Sequence, residues 1–264
     1  MQRVRGEVDV ETPPLLGFPD QPPPSYISQM PTLELSGVTI VGAGSFNPAI
    51  VHPLWLAEKG LIAADAAEHA MQQGGARPMI VSAQLASFVA DWLSVQVTQE
   101  QAVLATVDQG REVDLRDLAR GIFDLLPETP IDALGINSDS HFRTADESAW
   151  HAFGDRFLPK AFWEPLFEPK AWKPRSDGKL VGMRGMTVEV SRGDPRTPGH
   201  VRIELAPSLR TTPNGIYVGI NAHFQLATDG RRAKASDAAR VLTEQWEATR
   251  ALESTLVGKL AEAV

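Results

Sequence analysis

From Leu33 onward apolar positions alternate with small or polar ones, through Leu33, Leu35, Val38, Ile40 and Phe46. That is the period-two pattern of a strand, weakened near its end by Gly42 and Gly44. A short helix over 53–59 closed by Gly60 follows, then an alanine-rich helix over 63–73 that stops at Gly74 and Gly75. Three strands are predicted next, over 78–85, 88–97 and 101–107, as an antiparallel meander. Asp114 then precedes Leu115, Leu118, Ala119, Ile122, Phe123 and Leu126, a stripe at i, i+3, i+4 and i+7 that Pro127 ends.

The same order recurs in the second half. A strand is predicted over 131–142, a helix over 148–158 carrying Trp150, Phe153 and Phe157, and strands over 180–190, 201–205 and 216–226. A final helix over 236–261 aligns Val241, Leu242, Trp246, Leu252, Leu256 and Leu260. Each half thus reads β-α-β-β-β-α, and Asp117-Leu118-Ala119-Arg120 and Asp237-Ala238-Ala239-Arg240 stand at matching helix starts. The expected fold class is α+β: two pseudo-repeated β-α-β-β-β-α halves, 32–129 and 130–264, with antiparallel sheets covered by helices and a long C-terminal helix. The two sheets either join edge to edge or stack through their helices. Residues 1–31, with Pro13-Pro14 and Pro22-Pro23-Pro24 and no apolar periodicity, read as an extended arm.

Composition narrows the function classes. With 43% hydrophobic and 22% charged residues, the 264-residue chain has the balance of an ordinary globular protein. Its formal charge of −8 repels a phosphate backbone, so no nucleic-acid partner is expected. No apolar run reaches the length that spans a bilayer, so no membrane partner is expected either. The first residues lack the apolar stretch of a secretory signal, and the expected location is cytoplasmic. The absence of cysteine excludes a disulfide framework and a thiolate metal site.

Few constellations carry chemistry. Gly42-Ala43-Gly44-Ser45-Phe46-Asn47-Pro48 resembles the strand-end loop of adenylyltransferases that carry paired histidines, but those positions are Ile50 and Pro53 here, and His52 falls where that motif has glycine. Asn47 also replaces the third glycine of a dinucleotide fingerprint. The expected role of this segment is a strand ending in a turn, with Pro48 opening a helix. Gly135-Ile136-Asn137 and Gly219-Ile220-Asn221 repeat a short motif. Asn137, Asp139 and His141 share one strand face, as do Asn221, His223 and Gln225. On neighbouring strands they form a polar row, either a solvent-facing strand side or a ligand site built from Asn137, His141, Asn221 and His223. No metal site, catalytic residue or cofactor is predicted, because neither H-E-x-x-H nor a G-x-S-x-G elbow occurs.

Adhesive features are more numerous. Phe162, Trp163, Phe167 and Trp172 fall in a segment broken by Pro159, Pro165, Pro169 and Pro174, which cannot be a regular helix and is too aromatic for a plain loop. It either covers the sheet or docks on a partner. The final helix exceeds what a half-sized sheet needs, so its end is a candidate for homo-oligomer contact.

The layout, with Phe46-Asn47-Pro48, His52-Pro53-Leu54-Trp55, the two Gly-Ile-Asn strands and the long last helix, resembles a sporadically distributed family of uncharacterised prokaryotic proteins. The resemblance covers most of the chain after Pro31 and supplies no catalytic residues. It implies an accessory part of a multi-component system such as phage defence. The expected function is a non-enzymatic protein-interaction or assembly subunit that binds a protein partner or itself. The alternative is a small-molecule sensor or enzyme with a pocket between the halves.

Overall fold

A computed structural model describes residues 31–72, 78–173, 181–193, 195–228 and 231–262. The arm expected over 1–31 lies, but for its last residue, outside them. The strands are β1 (Thr32–Gly44), β2 (Ile80–Val81), β3 (Leu85–Ala90), β4 (Leu93–Thr98), β5 (Gln101–Thr106), β6 (Ile131–Arg143), β7 (Met186–Ser191), β8 (Gly199–Pro207) and β9 (Gly215–Gln225). They form one nine-stranded sheet in the order β2-β3-β4-β5-β1-β6-β9-β8-β7. Every pairing is antiparallel. The helices are α1 (Pro53–Glu58), α2 (Ala64–Gln72), α3 (Glu112–Leu125), α4 (Glu147–Phe157) and α5 (Ala235–Ala261). The protein is therefore α+β with a long C-terminal helix, and its strands make a single sheet through the pairing of β1 with β6.

Register gives the sheet one apolar face along its whole width. Phe88 stands opposite Val95, and the row continues through Leu104, Ile40, Ile136, Ala222, Val201 and Val190. All but Val190 are buried, because successive side chains on a strand point to opposite faces and the helices lie on this one. Leu56 of α1, Ala66 and Ala70 of α2, Leu115, Leu118 and Phe123 of α3, and Trp246 of α5 complete one core cluster with the strands at the β3 end. Trp150 and Phe153 of α4 complete a second cluster with Phe142, Leu205, Ile216 and Val218. The first cluster takes in Ile131, Leu134 and Ile136 of β6 and the first half of α5. α5 spans both clusters: its 27 residues extend about 40 Å, and Leu256, Val257, Leu260 and Ala261 near its end pack on the second cluster. That end, the candidate for homo-oligomer contact, packs within the chain through these residues.

Three strand expectations change, and of the strand expected over 180–190, whose first residue lies outside the described residues, only Met186 onward is extended. The chain over 88–97 is a hairpin, with Asp91 at φ 50 between β3 and β4. Buried positions run 86, 88, 90 before the turn and 93, 95, 97 after it. A phase change of one residue marks a turn even where the run of apolar residues is unbroken, and aspartate tolerates the left-handed conformation. Over 78–84 only β2 is extended; the chain then turns at Ser82, whose Oγ accepts hydrogen bonds from the Gln84 and Leu85 amides at 3.2 and 3.1 Å, and β3 begins at Leu85. Gly44 is required where the end of β1 passes Pro130, since a Cβ there would lie 2.1 Å from the Pro130 carbonyl oxygen.

The side chain that ties α5 to the sheet is Trp246, 2% exposed. Trp246→Ala is expected to cost about 3–5 kcal/mol, measured as a lower urea midpoint with the slope of the transition unchanged.

Candidate functional site

The loop after β1 has a local structural job. Asn47 caps a 3-10 turn at Pro48–Ile50 by accepting a hydrogen bond from the Ala49 amide at 3.2 Å. His52 caps α1, its Nδ1 accepting from the Leu54 amide at 3.1 Å with Pro53 in the first helical position. Both polar side chains satisfy backbone donors at helix starts.

On the face of the sheet away from the helices, the two Gly-Ile-Asn motifs meet. Asn137 on β6 is the direct partner of Asn221 on β9, and the row runs on through Thr39 on one side and through Arg202 and Glu189 on the other. Gly135 stands opposite His223, and His141 opposite Tyr217. The structure thus gathers the four expected residues on one face and separates the two histidines. Six residues of β9 divide His223 from the partner of His141, about 20 Å along the strand.

Each histidine has its own surroundings. His141 is buried, with Nδ1 2.9 Å from Ser208 Oγ and its ring 5.2 Å from that of Tyr217. Burial lowers its pKa first, the Arg210 charge adds to this, and Asp139 opposes both. The Tyr217 hydroxyl donates to Asp139 Oδ1 at 2.8 Å. Burial and that carboxylate raise the Tyr217 pKa, so it stays protonated. Gly219 lets Tyr217 lie across β9, because a Cβ there would meet the hydroxyl oxygen at 2.4 Å. His223 stacks on His200 with ring centroids 4.7 Å apart. Burial lowers the His223 pKa, with Gln225 acting the other way and the charges of His200 and Arg202 adding to the fall. Arg202 holds Glu189 ionised through hydrogen bonds of 2.8 and 3.1 Å. Asn137 Oδ1 is buried without a partner. Among the described residues, no three histidine or carboxylate groups are gathered as metal ligands need to be. The face offers hydrogen bonding along a partly buried row.

The aromatic segment lies outside the core. It is wound into 3-10 turns at Lys160–Phe162, Glu164–Leu166 and Pro169–Trp172, none with a buried residue. Phe162 is 72% exposed, Leu166 66% and Phe167 55%. Phe162 stacks edge-on against Trp163, and Phe167 against Trp172. These contacts give the strap local shape and leave its apolar surface in water.

Glu253 is the group that sequence reasoning missed. It lies on the sheet side of α5, 2% exposed, in the part of the helix face where Thr249 is also buried. The expected stripe passed through Leu252, which is 40% exposed. Stepping on from Leu242 and Trp246 by three and four residues leads to Thr249 and Glu253, so the spacing pointed there and the polarity of the residues concealed it. One oxygen of Glu253 pairs with Arg250; Oε1 has no partner. Burial raises its pKa to about 7 against the pull of Arg250 and of the Ser138 hydroxyl.

No family model, curated protein or solved structure matches this chain.

The raised carboxyl makes stability depend on pH. Between its ordinary value of 4.5 and about 7, the folded chain holds a proton that the unfolded chain has lost. Stability from this group is therefore present below pH 4.5 and is lost as pH rises from there through 7, by roughly 3 kcal/mol. Glu253→Gln keeps an acceptor for Arg250 and removes that penalty. Urea unfolding should show the variant more stable than the parent by roughly 1–3 kcal/mol at pH 8 and level with it at pH 4.5.

Proposed function

We propose that the chain is a non-enzymatic protein-interaction or assembly subunit, and that its halves are copies of one β-α-β-β-β-α unit. The observation that carries the first part is the exposed aromatic strap of Phe162, Trp163, Leu166 and Phe167. Large apolar side chains held side by side in water mark contact surfaces, because covering them is favourable by about 25 cal/mol per Å². A second support is the sheet edge at β7, which among the described residues pairs only with β8 and exposes Val188 and Val190. An unpaired edge of this kind accepts a strand from another chain. Beside it a groove of about 420 Å³ runs between α5 and the last strands, walled by Val190, Val201, Ile203, Leu252 and Leu256.

The support for the repeat is the sheet order. Outward from the β1–β6 pair, β5, β4, β3 and the two-residue β2 follow on one side and β9, β8 and β7 on the other, so the orders run in parallel for three strands. The resemblance noted in the sequence is the support for a multi-component prokaryotic system, such as phage defence, as the setting.

The alternative, a sensor or enzyme with Asn137, His141, Asn221 and His223 around one pocket, has less support. The two histidines stand about 20 Å apart along their face.

Sedimentation velocity of the parent and of Phe162→Ser/Phe167→Ser tests the reading. The parent is expected to sediment as an oligomer, or as a complex with a partner from its own cell, and the variant as the monomer. Its unfolding midpoint should match the parent's, since exposed positions change stability by about 0.5 kcal/mol or less. A monomeric parent whose cellular effect survives the strap change and is abolished by His141→Ala/His223→Ala would overturn it.

A further inference from the structure

A pocket of about 180 Å³ opens on the helix side of the sheet, where β5 ends and the turn into α3 passes over β1 and β6. Ser138, Ser140 and Glu253 form its inner wall, Leu33, Val38 and Val257 give apolar surface, and Asp108 and Glu112 stand at its mouth. We infer that this pocket binds a short aliphatic amine, with a diamine favoured, whose ammonium group donates to Glu253 Oε1.

The unpartnered oxygen comes first in the argument. A carboxylate that is 2% exposed, held by Arg250 and close to the Ser138 hydroxyl, still has Oε1 without a hydrogen-bond partner, and a ligand N–H there would recover free energy. The buried hydroxyls of Ser138 and Ser140 beside it accept further N–H bonds. The space is several times the ~30 Å³ share of one water, so it admits a small molecule. Charge selects the ligand's sign. Arg250, the single cation lining the pocket among the described residues, is already paired with Glu253, while Asp108 and Glu112 favour an incoming cation. The same two carboxylates can hold a second ammonium, with the methylenes between against the apolar wall. A metal ion fits poorly, because the described residues gather no three ligating groups.

This site is independent of the interaction reading and can fail without it. Calorimetric titration of the full chain at pH 8 with 1,4-diaminobutane, n-butylamine and butyrate tests it. The diamine should bind saturably with one site per chain, the monoamine about tenfold more weakly, and butyrate not at all. Glu253→Gln should weaken the diamine at least tenfold while remaining folded, Glu112→Gln should weaken it about threefold, and Glu189→Gln on the opposite face should leave it unchanged. Absence of saturable amine binding, equal binding by Glu253→Gln, or binding of butyrate in place of the amines would overturn the inference. So would Nα-acetyl-lysinamide binding as tightly as the diamine, which would assign the pocket to a protein lysine.

Discussion

The pairing of β1 with β6 is the contact on which the rest of the molecule depends. It runs almost the full length of both strands, from Thr32 opposite Arg143 to Gly44 opposite Ile131. Between its irregularities at Leu33/Leu35 and Ala43/Gly44 the register is unbroken, and because side chains alternate there, it sets which residues of β1 and β6 face the helices and which face away. A slip of one residue would carry Ile40 and Ile136 to the open face and bring Thr39 and Asn137 under α3 and α5. The burial of apolar area on one side, at about 25 cal/mol per Å², makes such a slip prohibitive.

The helix side is not apolar throughout. Along β6 the inward residues read Leu134, Ile136, Ser138, Ser140 and Phe142, and the serines fall where α5 presents Thr249 and Glu253. The two hydrophobic clusters part at this polar seam. Hydroxyls and a carboxylate in that position give up the cohesion that leucine or valine would supply, so the seam is costly unless it is used. The pocket beside Glu253 lies on it.

Much of the fold was legible. The stripes of α3 and α4, the length of α5 and the alternation in β1, β6 and β9 each matched the structure in kind, because amphipathic periodicity is a local property. Legibility failed where a polar residue occupied an inward position or where phase shifted by one. The stripe assigned to the last helix passed by Glu253 although its spacing pointed inward, and the turn at Asp91 fell inside a segment taken as one strand. At the polar row, the sharing of a face by Asn137 and His141 followed from parity alone. That Asn221 would stand opposite Asn137, and His223 some 20 Å from His141, required the register of β6 against β9.

By itself the sequence determined the kinds of elements, their order, the sign of the net charge and the aromatic content of the segment after α4. These depend on residue identity and on spacing within a few turns of chain. Tertiary structure decided that the strands make one sheet, that Phe162 and Phe167 stay in water, and that a carboxylate is enclosed beneath β6. The physical reason is that burial and strand register are set by segments distant in sequence, so no local pattern encodes which surfaces will meet.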